Sequence, residues 1–435
     1  MGIEWRVIMI GKRLEKKKTM SISDSVTIYN KPKYIYIPLI NGNNQEVISL
    51  VKKGDYVKKG STVAKTKGDL SIPLFSSVSG TVIDTVLGYC FNGKKVPCIQ
   101  IENDFLDTQV DYQPQPIATL TKETFVTILR EKGIVGLGGS AFPTYRKYAS
   151  ANKIKTLIVN AVECEPYITA DYMLFKTHVE EILEGIDLMM RIQEIEEAYI
   201  AIKVNTDELK EIIQHFIGTY PKMKLIEVPN LYPMGWEKSL VQYIKHVDYK
   251  ILPIEKGIVV NNVSTVYAIY EALKYGKPLL ERVVTFTGEM LKEPKNVLVK
   301  IGTSVSEVIE SIGYKRQKEL VFIAGGPMMG ESLPTDELMT TANLNCVLVL
   351  PFFEKEISEV CLRCGKCVQI CPVKISPVLV KDSLNDLSEL KKLKPERCIG
   401  CGLCSYICPA KIFVREFVKQ ANENLRKESE DERVS

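Results

Sequence analysis

Two cysteine runs near the end of the chain have the residue type and spacing for redox chemistry. Residues 361–372 read CLRCGKCVQICP and, after twenty-five further residues, 398–409 read CIGCGLCSYICP. Each run is C-x2-C-x2-C-x3-C-P. Thiolate is the soft ligand that iron–sulfur chemistry takes, and three closely spaced cysteines let one tight loop wrap a corner of a [4Fe–4S] cubane. The fourth cysteine is carried onto the next turn and ligates the other cubane. The spacing therefore predicts one cluster on Cys361, Cys364, Cys367 and Cys408, and a second on Cys398, Cys401, Cys404 and Cys371. The proline behind each fourth cysteine fixes φ and stops the local helix. Zinc knuckles present two C-x2-C pairs or Cys/His mixtures, not two identical four-cysteine runs. A disulfide scaffold belongs to a small secreted domain rather than to a chain of 435 residues.

A second group of residues has the types that bind a nucleotide. Gly136, Gly138 and Gly139 lie in GLGGSAFPT, where missing side chains let backbone N–H groups approach a phosphate. The order is not G-x-G-x-x-G, and a glycine-rich turn without a ligand is the bland alternative. Three polar clusters accompany it: Asn160, Glu163 and Glu165 in VNAVECEPYITAD; Tyr232, Gly235 and Glu237 in YPMGWEKS; Asn261, Asn262 and Thr265 in VVNNVST. Taken singly, Asn, Ser and Thr there could be helix caps. Three polar clusters at strand ends point to a ligand outside the carboxyl edge of a sheet.

The rest of the chain supplies elements to position both groups. With 435 residues it has room for about three domains at ~150 residues each. Hydrophobic content of 45% and charged content of 25% are those of a globular protein. The net charge of +4 is too near balance to argue for nucleic acid. Cys90, Cys98, Cys164 and Cys346 are scattered, as small buried hydrophobes are. Cluster thiolates and unpaired cysteines together point to the cytoplasm. No apolar run reaches the length of a membrane span and the N-terminus lacks signal-peptide order, so membrane contact would go through a partner.

Residues 1–33 are expected to form an irregular lead, with the Lys12–Lys18 charge run solvated. Residues 34–110 read as short β-branched strands separated by Gly, Asp, Asn and Pro. DYQPQPI is a linker, and residues 118–276 alternate strands with helices, which predicts a parallel Rossmann-like sheet. Within it, Phe125, Ile128 and Leu129 have helical spacing behind Thr121 as the expected cap, TDELKEIIQHFIG opens a helix with Thr206 and Asp207, and FKTHVEEILEGIDLMMRIQ is one helix. Residues 281–350 suggest a small mixed β-grasp module, 355–420 the helical two-cluster domain, and 421–435 a charged tail on a fraying helix. The fold class is thus multidomain α/β.

These stretches carry a resemblance. VKKGDYVKKGSTVAK followed by SSVSGTVIDTV resembles a biotinyl/lipoyl-type barrel-sandwich hybrid, although its hairpin tip, GDLSIPLF, lacks the carrier lysine. A docking or scaffolding role is therefore expected of it. GLGGSAFPTYRK, NAVECEPY, YPMGWEK and VNNVST together resemble the flavin- and NADH-binding subunit of respiratory complex I. With the leading barrel-sandwich, AGGPMMG and the paired cysteine runs, residues 34–420 resemble the RnfC component of the Rnf complex in order. The β-grasp part is then SLBB-like.

The resemblance implies FMN, NAD(H) and two [4Fe–4S] clusters, in a family that couples ferredoxin and NAD redox chemistry to ion pumping. By it, Gly136, Gly138 and Gly139 would line the FMN phosphate and ring, with Lys147 nearby. Asn160, Glu163, Asn261, Asn262 and Thr265 would bond the flavin, Phe142 and Glu165 would face NADH, and Tyr232, Gly235 and Glu237 would complete the pocket. It also implies partners: the other subunits of a membrane complex, especially an iron–sulfur subunit, and ferredoxin directly or through that subunit. The location would be peripheral, on the cytoplasmic face of the membrane.

Three departures stand out. Ala141 replaces a glycine, Val162 replaces an acidic flavin contact, and the Gly-Gly-x-His-Pro segment is missing. They keep two alternatives in view: a soluble RnfC-like protein feeding a reductase such as proline reductase, and an electron relay or assembly subunit with a vestigial pocket. Cobalamin-reductase relatives typically lack the leading barrel-sandwich. Because NADH gives two electrons as a hydride and a cubane takes one, a flavin is expected between them. No general base is needed, so Glu163 and Glu165 are expected to orient ligand.

Overall fold

A computed structural model describes residues 10–40, 46–150, 153–314, 319–352, 354 and 358–434. The first nine residues of the lead therefore lie outside the described residues, as do 355–357 at the start of the cysteine domain.

Two small sheets form the N-terminal β part. Strands Tyr34–Pro38, Tyr56–Val57, Gly80–Tyr89 and Lys95–Asn103 make one; Val47–Ser49, Thr62–Thr66 and Pro73–Phe75 make the other. Alternation decides the inner faces: in YIYIP, Ile35 and Ile37 point inward to meet Val63, Val78 and Ile101. The hairpin tip where a carrier lysine would stand is docked instead. Ile72 is buried in the hydrophobic core of the following α/β part, and the Asp69 carbonyl accepts from the Tyr145 hydroxyl at 3.1 Å. The scaffolding expectation for this module has that contact as its physical basis.

The α/β part is a four-stranded parallel sheet in the order Met223–Val228, Glu197–Lys203, Thr156–Asn160, Ile258–Asn262. Thr156–Asn160 and Ile258–Asn262 are buried along all but their last residue because helices cover both faces. The chain leaves Thr156–Asn160 first to one side and later returns on the other, so the order reverses beside that strand. Asn160 and Asn262 are register partners across the reversal. Thr121 caps the helix Lys122–Glu131, accepting from the Thr124 N–H, and Phe125, Ile128 and Leu129 are buried as the spacing predicts. The long helix expected from FKTHVEEILEGIDLMMRIQ is two, Ala170–Thr177 and Val179–Gln193, broken where His178 leaves helical geometry at φ −134°.

A six-stranded mixed sheet follows, in the order Thr27–Tyr29, Lys295–Lys300, Glu281–Thr287, Cys346–Pro351, Leu320–Ala324, Glu331–Leu333, with helix Val305–Ile312. Its first strand belongs to the lead, which therefore departs from the irregular expectation: Thr27–Tyr29 pairs in parallel with Val297–Val299. The charge run departs too, because Lys18 turns inward.

The cysteine domain is built of short helices closed by the helix Val414–Val434. That helix is not merely a fraying tail. Val418 and Ala421 are fully buried, and Asn422 and Asn424 donate to the carbonyls of Pro395 and Leu384.

Candidate functional site

The glycine turn, the strand ends and the cysteine domain meet at one cavity of about 610 Å³, within the range of small-molecule pockets. Every nucleotide-site residue singled out in the sequence lines it: Gly136, Gly138, Gly139, Phe142 and Lys147; Asn160, Glu163 and Glu165; Tyr232, Gly235 and Glu237; Asn261, Asn262 and Thr265. It lies beyond the carboxyl edge of the parallel sheet, where the strand order reverses.

Local contacts hold the glycine turn open. The Thr265 hydroxyl accepts from the Leu137 N–H at 2.9 Å, and a Cβ on Gly138 would come within 3.2 Å of Asn262. The N–H groups of Gly138, Gly139 and Ser140 find no acceptor among the described residues. Three successive free donors are what a phosphate or ring carbonyl needs. Gly139, at φ +111°, faces open space. Ala141 stands at φ +47°, the left-handed region, which explains why glycine suits that position and costs an alanine about 1–2 kcal/mol. These residues fit an FMN.

The asparagines are already engaged. Asn262 caps the helix Val263–Tyr275 through the Ser264 N–H and donates to Asp171 at 2.6 Å. Asn261 donates to the Tyr148 hydroxyl, and Asn160 to the Gly235 carbonyl at 2.8 Å. Lys147 donates to Glu237 at 2.8 Å and to the Val260 carbonyl at 2.7 Å. Phe142, 39% exposed, stands at the mouth.

The two glutamates differ from simple ligand contacts. Glu163, at φ +40°, accepts from the Asp171 N–H at 2.8 Å and pairs with Lys18 at 3.4 Å. Its carbonyl also accepts from Lys18 and from Lys203. Burial pushes the Glu163 carboxyl up and the Lys203 ammonium down, while Lys18 draws the carboxyl partly back. Glu165 accepts the N–H groups of Met328 and Met329 at 3.1 and 2.9 Å, and burial raises its carboxyl to about 7. It thereby hooks the AGGPMMG turn of the mixed sheet onto the pocket.

Sequence reasoning missed Lys18, Lys203 and Asp171. Only the last carried a signal, as the closing residue of VNAVECEPYITAD. Phe91 and Asn343 also line the cavity from other modules, with no local pattern to announce them. Val162 does not line it; its side chain is buried in the core beside Val228 and Met234. Cys164 does line it, unlike the buried Cys90, Cys98 and Cys346.

The cysteines separate into two sets about two small cavities. Cys361, Cys364, Cys367 and Cys408 surround one; Cys371, Cys398, Cys401 and Cys404 surround the other. In this grouping the fourth cysteine of each run lies with the first three of the other. Among the described residues no His, Cys, Asp or Glu triplet converges on a single-ion point; cubane ligands are instead spread around a core. The second set is the inner one: Ile399, between Cys398 and Cys401, lines the nucleotide cavity, and Tyr232 donates to the Cys401 carbonyl at 2.7 Å. Cys364 of the first set is exposed.

Residues 8–106 match the RnfC barrel sandwich hybrid domain, 129–271 the Nuo51 FMN-binding domain, 283–332 the SLBB domain and 360–412 the 4Fe-4S dicluster domain. The RnfC component of the proton-translocating ferredoxin:NAD(+) oxidoreductase complex of Clostridium ljungdahlii is 34% identical over 382 residues, 85% of this chain and 82% of that one. The chain belongs to the RnfC family. The corresponding component of the Na(+)-translocating complex of Acetobacterium woodii is another such relative of this RnfC-type chain, at 33% identity over 81% of each. Its counterpart in the ion-translocating oxidoreductase complex of Haemophilus influenzae is 35% identical over 79% of this chain; the chain spans about half the length of that relative, 54%. A solved NAD+-reducing [NiFe]-hydrogenase, H2-reduced, aligns over 72% of this chain and 63% of its own at 17% identity and TM-score 0.49. The family supports the expected cofactor set of FMN and two [4Fe–4S] clusters.

Proposed function

We propose that this RnfC-type chain passes electrons between NAD(H) and a low-potential carrier such as ferredoxin, as the peripheral subunit of an ion-translocating complex. FMN in the cavity would exchange a hydride pair with the nicotinamide and single electrons with the clusters. The Gly136–Gly139 turn and Lys147 would hold it, with Asn160, Asn261, Asn262 and Thr265 fixing the walls. Phe142 at the mouth offers a ring for the nicotinamide. Glu163 and Glu165 need move no proton in hydride transfer; their contacts are those of positioning groups.

The observation that carries this proposal is the shared wall between cavity and inner cysteine set, made by Ile399 and the Tyr232–Cys401 hydrogen bond. The stations then run cavity, inner set, outer set, partner. Among the described residues no helix is long and apolar enough to cross a membrane. Placement on the cytoplasmic face, through an iron–sulfur subunit of the complex, is part of the proposal. The test is to mix purified, reconstituted chain with NADH and an artificial acceptor. Flavin bleaching and acceptor reduction are expected; an FMN-loaded protein that ignores NADH would leave only the relay role.

A further inference from the structure

The two cysteine cavities are related by the internal repeat, residue against residue, and the repeat is broken in its charges. Cys361, Cys364 and Cys367 correspond to Cys398, Cys401 and Cys404, and Cys408 to Cys371. Backbone geometry repeats as well: Arg363 and Gly400 have φ +53° and +66°, Gly365 and Gly402 +72° and +75°, Lys374 and Lys411 +55° and +53°. The other lining residues differ. Around the outer set stand Arg363, Lys366 and Lys381; their counterparts at the inner set are Gly400, Leu403 and Val418, of which only the last two line that cavity. In the opposite sense Arg415 lines the inner cavity where Val378 lines the outer.

The charges do not cancel alike. Asp382 is the acid at the outer set, paired with both Arg363 and Lys381, and Lys366 is exposed with no ion pair among the described residues. The three cations therefore exceed the acid there. At the inner set Arg415 is shared between Glu331 at 3.4 Å and Glu416 at 2.9 Å, and Lys419 pairs with Glu331 at 2.8 Å, so these charges cancel. Arg397, donating to the Val373 carbonyl at 3.1 Å, adds one cation there, against an excess of two at the outer set. Solvent adds to the contrast: Cys364 is exposed, while Cys371, Cys401 and Cys404 are buried.

Adding an electron to a thiolate-ligated cubane adds negative charge to an anion. Nearby cations and water both favour that state, and net charge and exposure are among the terms that set a cluster's potential. We propose that the outer set holds the higher-potential of the two clusters, and that Arg363, Lys366 and Lys381 establish this order. The asymmetry makes the exposed end the resting place of a single electron, next to whatever protein docks there. This inference rests on the two-cluster reading above.

The experiment is an anaerobic redox titration of the reconstituted full chain with dithionite as electron donor, followed by electron paramagnetic resonance. Each cluster takes up one electron. Two resolved steps are expected. Lys366→Leu and Arg363→Gly copy the inner residues onto exposed positions. Each should lower the reduced-to-oxidised ratio of the first-reduced cluster about tenfold at fixed potential, equivalent to 59 mV for one electron. The second step should stay in place, and Lys366→Arg should keep the wild-type order. Variants that move only the second-reduced cluster, or neither, overturn the inference. Iron and sulfide well short of about eight per chain would overturn the two-cluster reading itself, and the inference with it.

Discussion

The Tyr232 hydroxyl donates to the Cys401 carbonyl at 2.7 Å, joining a residue of the nucleotide cavity to a residue of the inner cysteine set. Tyr232 is 1% exposed, so the bond is made away from water and fixes the inner loop against the cavity wall. Tyr232→Phe keeps the ring and leaves the Cys401 carbonyl without that donor, a cost of about 1–3 kcal/mol. In stopped-flow mixing with NADH, flavin reduction should keep its rate while reduction of the inner cluster slows.

Gly365 and Gly402 occupy equivalent places in the repeat, yet their surroundings differ. A Cβ on Gly365 would meet nothing within 4 Å, whereas one on Gly402 would lie 2.6 Å from the Met328 carbonyl. Both substitutions to alanine incur the left-handed backbone cost of about 1–2 kcal/mol. Gly402→Ala must also push back the AGGPMMG turn that Arg415 holds through the Met328 carbonyl at 2.8 Å. Urea unfolding should show Gly402→Ala as the more destabilised of the two.

Glu165 gives the fold a pH dependence. Burial raises its carboxyl from the ordinary 4.5 to about 7, so the folded chain binds that proton more tightly than the unfolded one. Its contribution is fully present below the ordinary value and is lost as pH rises through about 7. Urea midpoints measured across that window should fall with pH in the wild type. Glu165→Gln cannot ionise and should flatten part of the fall.

Lys147 neutralises Glu237 on the cavity wall at 2.8 Å. Lys147→Met leaves that carboxylate facing an anionic cofactor. FMN affinity should drop by about tenfold, or ~1.4 kcal/mol, in a flavin titration, with iron content unchanged.

Occupancy of the two cysteine sets is open to direct count. Cys364→Ser and Cys401→Ser each touch one set. Iron should fall from about eight to about four per chain in either variant, in line with two independent cubanes. Only Cys364→Ser should keep the inner cluster, which shares a wall with the nucleotide cavity.

Much of this site was legible because its parts are local. The cysteine spacing encodes the two sets, and GLGGSAFPT with the three strand-end clusters lines the cavity as the alternation of strands and helices predicts. What was not legible depends on distant partners. The strand Thr27–Tyr29 is too short for a pattern and exists because Val297–Val299 offers an edge. Lys18 reads as one more lysine in a charge run until Glu163 is found beside it. The helix Val414–Val434 looks charged and free along its sequence, yet Val418 and Ala421 bury against the second cysteine run. Glu165 was expected to contact ligand; its hook on Met328 and Met329 joins modules more than a hundred residues apart. The departure at Val162 has a packing reason, since that side chain belongs to the core behind the strand.

The central claim is that one chain connects a nicotinamide-reactive flavin to two cubanes. The most direct measurement adds NADH anaerobically to the full chain reconstituted with FMN, iron and sulfide, while flavin absorbance and cluster paramagnetic resonance are followed together. The flavin should bleach and cluster signals should appear in the same sample. A protein that contains FMN and about eight irons, yet shows neither change with NADH, would contradict that claim.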